Sequence, residues 1–306
     1  MIQSILTILS LLGVGYIARI LGLFKPQDAQ FLNRLVLYIF MPATVFYGVY
    51  NLKLEVTLLR LPLVAITSIL VLLPFLVLVT RRMSGPLRGA FILTGLFGNT
   101  GFLGYPVSLL SYGNEGLARA ILYDQLGFTV ALTTIGVWIA KRYGRGGARF
   151  SFKETLFGII TYPPFPALIL AFALKHVHLP EFFLKALSYL SNATVPVIMI
   201  GIGGLLQLQM NKRYFGILGG TIALKLFIFP VVNLFLALIF HLDLLSLEVV
   251  IIESGVPVMI SSVVFGTEYG LDIEFILSAI LITTLLVIIT LPGINALLLK
   301  LVLTGY

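Results

Sequence analysis

The sequence predicts an all-α polytopic membrane protein of about ten transmembrane helices, arranged as two five-helix repeats of inverted topology. Three observations lead there: the composition, the length of the apolar runs, and a pair of matched interruptions in the two halves of the chain. Of 306 residues, 59% are hydrophobic and only 10% are charged. A soluble domain carries roughly 25% charged residues, so this chain has too little polar surface to face water. The apolar residues come in runs of about 20, the length of a helix that crosses a hydrocarbon core. Outer-membrane barrels show short alternating segments instead, and none is visible. The lipid bilayer is therefore the first expected partner.

The chain has no cysteine, which excludes disulfides, thiolate metal sites and a cysteine nucleophile. No charged side chain precedes Arg19, and no A-x-A-like cleavage site follows the first apolar run. That run reads as a first membrane helix, not a removed leader. The net charge of +8 is assigned to membrane-flanking loops, and no nucleic-acid partner is expected.

In chain order the expected spans are roughly 2–21, 31–50, 57–80, 87–110, 116–140, 154–175, 184–206, 214–240, 246–267 and 273–299. Polar and helix-breaking clusters separate them, as at Lys25-Pro26-Gln27-Asp28, Arg81-Arg82-Met83-Ser84-Gly85-Pro86 and Lys141-Arg142-Tyr143-Gly144-Arg145. Basic residues are distributed unevenly between the two sides. Thirteen fall at the 1–2, 3–4, 5–6 and 7–8 connections, from Arg19 to Arg213, with Arg149 and Lys153 among them. Six fall on the other side: Lys53, Arg60, Arg119, Lys175, Lys185 and Lys300. The positive-inside rule then places both termini on the non-cytoplasmic side of the cell (inner) membrane.

The basic linker 141–153 divides the chain into a first repeat, 1–140, and a second, 154–306. Five helices per half invert the second half relative to the first. Met41-Pro42-Ala43-Thr44-Val45 is echoed by Ala193-Thr194-Val195-Pro196, and Leu73-Pro74-Phe75 by Phe229-Pro230-Val231. Span 4 is interrupted at Gly98-Asn99-Thr100-Gly101-Phe102-Leu103-Gly104-Tyr105-Pro106, and span 9 at Glu253-Ser254-Gly255-Val256-Pro257. Proline to proline, the three separations are 154, 156 and 151 residues. Proline removes a backbone donor and glycine weakens a helix. Matched interruptions at membrane depth point to a midplane transport site. Freed helix N-termini carry partial positive charge and suit an anion.

This assigns substrate-binding roles to Asn99, Thr100, Gly101, Gly255, Val256 and Lys225, with Pro106 and Pro257 as makers of the breaks. An Asn amide both donates to a carboxylate and accepts from a cation; local capping of freed backbone is its equal alternative. Glu253 is an intramembrane carboxylate, expensive unless it faces a cavity or a partner, and is expected to carry ion or proton coupling. Asp124 and Gln125, about two turns into span 5, join it as coupling candidates. Coupling to Na+ or H+ is the expectation; no cofactor and no resident metal is. Lys225 lies about twelve residues beyond Arg213, so ~16–18 Å along its helix and too deep to reach the interface easily. Its expected uses are attraction of the substrate anion or neutralisation of Asp124 or Glu253. His176, His178 and His241 fall at helix ends and read as solvated loop.

At these residues the chain resembles the auxin efflux carrier family, which includes plant PIN-type auxin transporters and bacterial malate-permease-like proteins. The resemblance runs through Gly13-Val14-Gly15-Tyr16, Leu32-Asn33-Arg34-Leu35-Val36 and Phe40-Met41-Pro42-Ala43. It continues through Asn99-Thr100 to Gly104-Tyr105-Pro106, Gly255-Val256-Pro257 to Glu268-Tyr269-Gly270, and Leu291-Pro292. It implies a bile-acid/sodium symporter-like fold of elevator type, with helices 4 and 9 broken and crossing. It also implies a scaffold of helices 1, 2, 6 and 7, through which a homodimer forms, and a transport domain of helices 3–5 and 8–10. Glu253 stands where plant members tend to have an uncharged polar residue, a departure that leaves room for proton or cation coupling.

No enzyme is expected. Tyr123-Asp124 is half of an intramembrane aspartyl protease pair, but the Gly-x-Gly-Asp half is reduced to Gly270-Leu271-Asp272 at a helix end. No His-Glu-x-x-His and no P-loop is present. A channel would use symmetric rings around a pore. The expected activity is alternating-access transport of small organic anions, carboxylates such as auxin-like acids or malate. A sodium/proton or other cation antiporter of related fold is the alternative.

Overall fold

The computed structural model describes residues 2–53, 55–145, 152–205 and 211–304. The middle of the basic linker, 146–151 with Arg149, lies outside the described residues. The helices are α1 (Ile2–Ile20), α2 (Gln27–Tyr50), α3 (Val56–Arg82), α4 (Gly85–Leu96), α5 (Thr100–Tyr143), α6 (Phe152–Thr161) and α7 (Pro164–Ala173). They continue with α8 (Glu181–Leu205), α9 (Phe215–Ile239), α10 (Leu244–Gly255), α11 (Ser262–Tyr269) and α12 (Ile273–Thr304).

Among the described residues, seven helical stretches are long and apolar enough to cross a membrane. The chain is an all-α polytopic membrane protein. Three expected spans are not single long helices. Span 4 is α4 plus the start of α5, span 6 is α6 plus α7, and span 9 is α10 plus α11. The causes are local: extended backbone at Phe97, Pro163 and Pro164 in succession, and extended backbone at Val256 before Pro257. Conversely, the loop expected between spans 4 and 5 is a bend inside α5 at Gly113, whose φ of 63° suits glycine.

Proline does not always break these helices. Met41 N–H donates to Val36 O just before Pro42, Tyr105 to Thr100 O just before Pro106, and Phe229 to Leu224 O just before Pro230. Each bond reaches back five residues, which widens the turn ahead of the residue that has no donor. This corrects the expected role of Pro106. It sits in the helical stretch of α5 that precedes the Gly113 bend, and the break lies upstream at 97–99.

Helix α1 packs along α8, and α2 packs on α7 and α8. The α1–α8 approach brings backbones together. A Cβ on Gly15 would lie 2.1 Å from Ile200 O, and one on Gly203 would lie 2.1 Å from Leu12 O. Small residues at such a crossing are the membrane solution to close packing. The Thr44 and Thr194 hydroxyls, 2.7 Å apart, join α2 to α8. Elsewhere α3 packs on α5 and α9, and α10 packs on α5, α9 and α12. Two apolar clusters result. One gathers Leu61, Ile69, Phe97, Phe128, Phe229 and Phe275. The other gathers Ile8, Met41, Leu168 and Met199, and reaches into α5 and α10 through Ile121 and Ile252. Leu70, Val71, Phe75 and Leu78 of α3 are exposed, as apolar residues facing lipid acyl chains are.

Candidate functional site

The two interruptions lie against each other. Asn99 N–H donates to Pro257 O at 2.8 Å, and Met259 N–H donates to Phe97 O at 3.3 Å. Gly98 and Val258 face each other as an isolated antiparallel bridge. Breaking two helices frees backbone groups at membrane depth, and such groups must find partners within the protein. Here each break supplies partners for the other. The Val258 N–H finds a third, the Thr283 hydroxyl of α12 at 3.1 Å. Asn99 O accepts from both Leu103 N–H (2.9 Å) and Gly104 N–H (3.2 Å), so α5 opens on a wide turn, Thr100–Gly104. The half-buried Asn99 side chain makes no hydrogen bond among the described residues. Its amide is available at the N-terminal end of α5, beside that helix's free N–H groups.

Two buried carboxylates flank the same turn. Asp124 of α5 accepts from Thr100 Oγ1 at 2.7 Å on Oδ1, and from Tyr105 OH at 2.6 Å and Gln125 Nε2 at 2.7 Å on Oδ2. Gln125 Nε2 also reaches Tyr105 OH at 3.1 Å. On the other side Glu253 of α10, wholly buried, accepts from Ser108 Oγ at 3.0 Å on Oε1. A Cβ on Gly104 would lie 2.1 Å from Glu253 Oε2, so only glycine lets the carboxyl rest on the backbone of the turn. Gly101 is held from the other side by Met41 of α2, whose Cε would lie 2.9 Å from a Cβ there.

Lys225 is also wholly buried, and its ammonium donates to Ser254 O at 2.9 Å. It lies 4.2 Å from the Phe229 ring centre and against Gly98. The expected ion pair with Asp124 or Glu253 does not form among the described residues. The reason is geometric: the C-terminal end of α10 presents its last carbonyls to this lysine, and a helix C-terminus favours a cation. Gly255 closes α10, and Val256 and Pro257 form the extended segment after it, as their assignment to the break requires.

The structure thus brings Asn99, Thr100, Gly101, Gly255, Val256, Pro257, Lys225, Asp124, Gln125 and Glu253 to one crossing. Pro106 lies a turn away in α5. Three partners escaped the sequence reading. In the sequence Tyr105 stands out only as part of a motif. Ser108 follows Gly104 by four residues and so shares its helix face, a signal that becomes usable once Glu253 is known to face Gly104. Thr283 stands in an apolar run, where a hydroxyl ordinarily bonds its own helix. It does donate to Ala279 O at 2.6 Å, and its bond to Val258 is additional.

A site of this kind, built from broken helices with polar groups facing inward, is what a membrane carrier requires. A family model described as membrane transport protein matches residues 1–295. The chain belongs to that family. Among its relatives is an uncharacterized transporter of Methanocaldococcus jannaschii, 36% identical over 293 residues, covering 92% of this chain and 93% of that protein. An uncharacterized transporter of Methanothermobacter thermautotrophicus is 30% identical over 309 residues, covering 95% and 96%. A putative malonate transporter of Rhizobium meliloti is 26% identical over 305 residues, covering 94% and 93%. The relatives of this membrane transport protein are named as transporters, not as enzymes.

Proposed function

We propose that this member of the membrane transport protein family is a secondary carrier of small organic anions, with a carboxylate bound at the crossing of the two breaks. The observation that carries the reading is the pairing of Phe97–Asn99 with Pro257–Met259, which sets the free Asn99 amide at the start of α5. Helix N-termini and amide donors suit a carboxylate, and the name of the Rhizobium meliloti relative points to a dicarboxylate. Thr100, Gly101, Gly255 and Val256 line this position. Lys225 acts through the backbone it holds, because its ammonium is engaged at Ser254 O. Glu253, with Asp124 and Gln125 across the turn, forms the coupling site.

The broken segments count as crossings in this reading, giving ten. Helices α1, α2, α6–α7 and α8 form the scaffold and the homodimer contact. The rest moves as an elevator, as the resemblance to auxin efflux carriers implies. Repeats 1–140 and 154–306 are related by inversion, and both termini face away from the cytoplasm.

The test is thermal stability of the purified protein against a panel of carboxylates. A ligand that binds only the native state raises apparent stability by mass action. A shift with malonate or another dicarboxylate is expected. A shift with sodium alone and with no carboxylate replaces this reading by the cation antiporter. Asn99→Ala should retain its melting temperature in the absence of ligand and lose roughly 10- to 100-fold in carboxylate affinity, the value of a hydrogen bond to a charged group. Unchanged affinity in this variant removes Asn99 from the site.

A further inference from the structure

Asp124 and Glu253 are both buried against the first turn of α5, yet their surroundings are opposite in kind. Both oxygens of Asp124 are occupied by donors: the Thr100 hydroxyl, the Tyr105 hydroxyl and the Gln125 amide. An ionised carboxylate is acceptor-only, and this is the environment that satisfies one. Three donors already take most of the lone pairs that a bare cation would need. Glu253 has the Ser108 hydroxyl on Oε1 and, among the described residues, no partner on Oε2. A buried anion with one oxygen bare is costly, whereas a carboxylic acid carries no charge to compensate.

The ionisable groups facing Glu253 are Asp124 and Tyr123 from α5 and Lys225 from α9. Helix α12, which also packs on α10, has charged residues only at its ends, Glu274 and Lys300. The single cation, Lys225, is held at Ser254 O, and Asp124 repels a second negative charge. The bare Oε2 is aimed at Gly104, the last residue of the turn whose first residues lie at the proposed anion position. A negative charge there opposes an anion at the other end of the turn; a protonated acid does not.

We propose that Glu253 is the proton-carrying residue of this carrier and Asp124 a permanent anion that holds the turn, so that transport is linked to protons and not to sodium. This rests on the carrier reading above. With the acid protonated, the site accepts the substrate anion. When the site opens to water, the O–H bond at Glu253 breaks, its electron pair stays on the carboxylate and the proton passes to water. The Lys225 ammonium, at the neighbouring Ser254 carbonyl, is the cation nearest the charge left behind.

Infrared spectroscopy of the full-length protein in lipid decides the protonation claim without any substrate. A protonated-carboxyl stretch that titrates with pH is expected in the wild type. It should disappear in Glu253→Gln, persist in Asp124→Asn and be unmoved by replacing potassium with sodium. Should Asp124→Asn fail to fold, Thr100→Val removes a donor from Asp124 and none from Glu253, and should likewise keep the Glu253 band. Absence of the band from the wild type, its survival in Glu253→Gln, or a shift caused by sodium overturns the proposal. Malonate binding by calorimetry in buffers of different ionisation enthalpy then tests linkage. Wild type should take up a proton with malonate, and Glu253→Gln should bind malonate without one; proton uptake undiminished in the variant also overturns the proposal. If malonate fails to bind at all, the substrate reading falls while the infrared titration still decides Glu253.

Discussion

A methyl group at position 104 has no room beside Glu253, since it would lie 2.1 Å from Oε2. The carboxyl is itself fixed by Ser108, so it cannot simply swing aside. Gly104→Ala is therefore expected to destabilise the protein by about 1–3 kcal/mol, the usual cost of overpacking a filled interior. It should also abolish transport, because the Glu253 carboxyl is displaced from the turn at the crossing. The measurement is a melting curve with transport in vesicles; an unchanged melting temperature would show that the turn yields to the added atom. Asn99 is the contrasting residue. No described residue hydrogen-bonds its half-buried side chain, and an amide left without a partner is more informative about ligand binding than one already bonded.

Helix ends carry the next level of organisation. Arg60 NH1 donates to Phe240 O and His241 O at 3.1 and 2.9 Å, at the end of α9. Lys175 Nζ donates to Val49 O and Tyr50 O at 2.9 and 3.2 Å, at the end of α2. Lys225 does the same for α10. Cations at helix C-termini satisfy carbonyls that no helical N–H reaches. Arg119 pairs with Glu115 and donates to Ser246 Oγ at 3.1 Å.

At the other end of α10, Asp243 caps the helix by accepting from Ser246 N–H at 3.0 Å. Burial pushes the Asp243 carboxyl up, but the Ser246 hydroxyl and backbone, with Arg119, outweigh it and hold the acid below its ordinary value. A folded value below the unfolded one contributes stability above the unfolded pKa, about 3.9. That contribution fades as pH falls through the folded value. Asp243→Ala should cost about 0.5–2 kcal/mol near neutrality. The melting temperatures of variant and wild type should converge in acid; a gap that stays constant would remove the carboxylate from the cap.

For the molecule as a whole, orientation is the consequence of charge placement that is simplest to check. The chain has no cysteine, so one cysteine added at the C-terminus is a unique label. An impermeant maleimide should modify it in intact cells. Modification only after permeabilisation inverts the topology and exchanges the two faces of the carrier. The two apolar clusters meet through α5 and α10, the same helices that hold Asp124 and Glu253. A change of charge at the crossing therefore acts where the two packed groups of helices join.

The amino-acid sequence by itself determined the membrane class, the apolar segments, the charged connections and the matched interruptions that hold Asn99 and Glu253. These follow from composition and run length, which report the solvent each stretch requires and do not depend on distant residues. Only the tertiary structure decided that Tyr105 and Ser108 serve the two carboxylates, that Lys225 caps a helix without forming an ion pair among the described residues, and that Pro106 lies in the helical segment after the break. Each of these depends on the rotation of one helix against another, and that phase is set by packing between segments far apart in the chain.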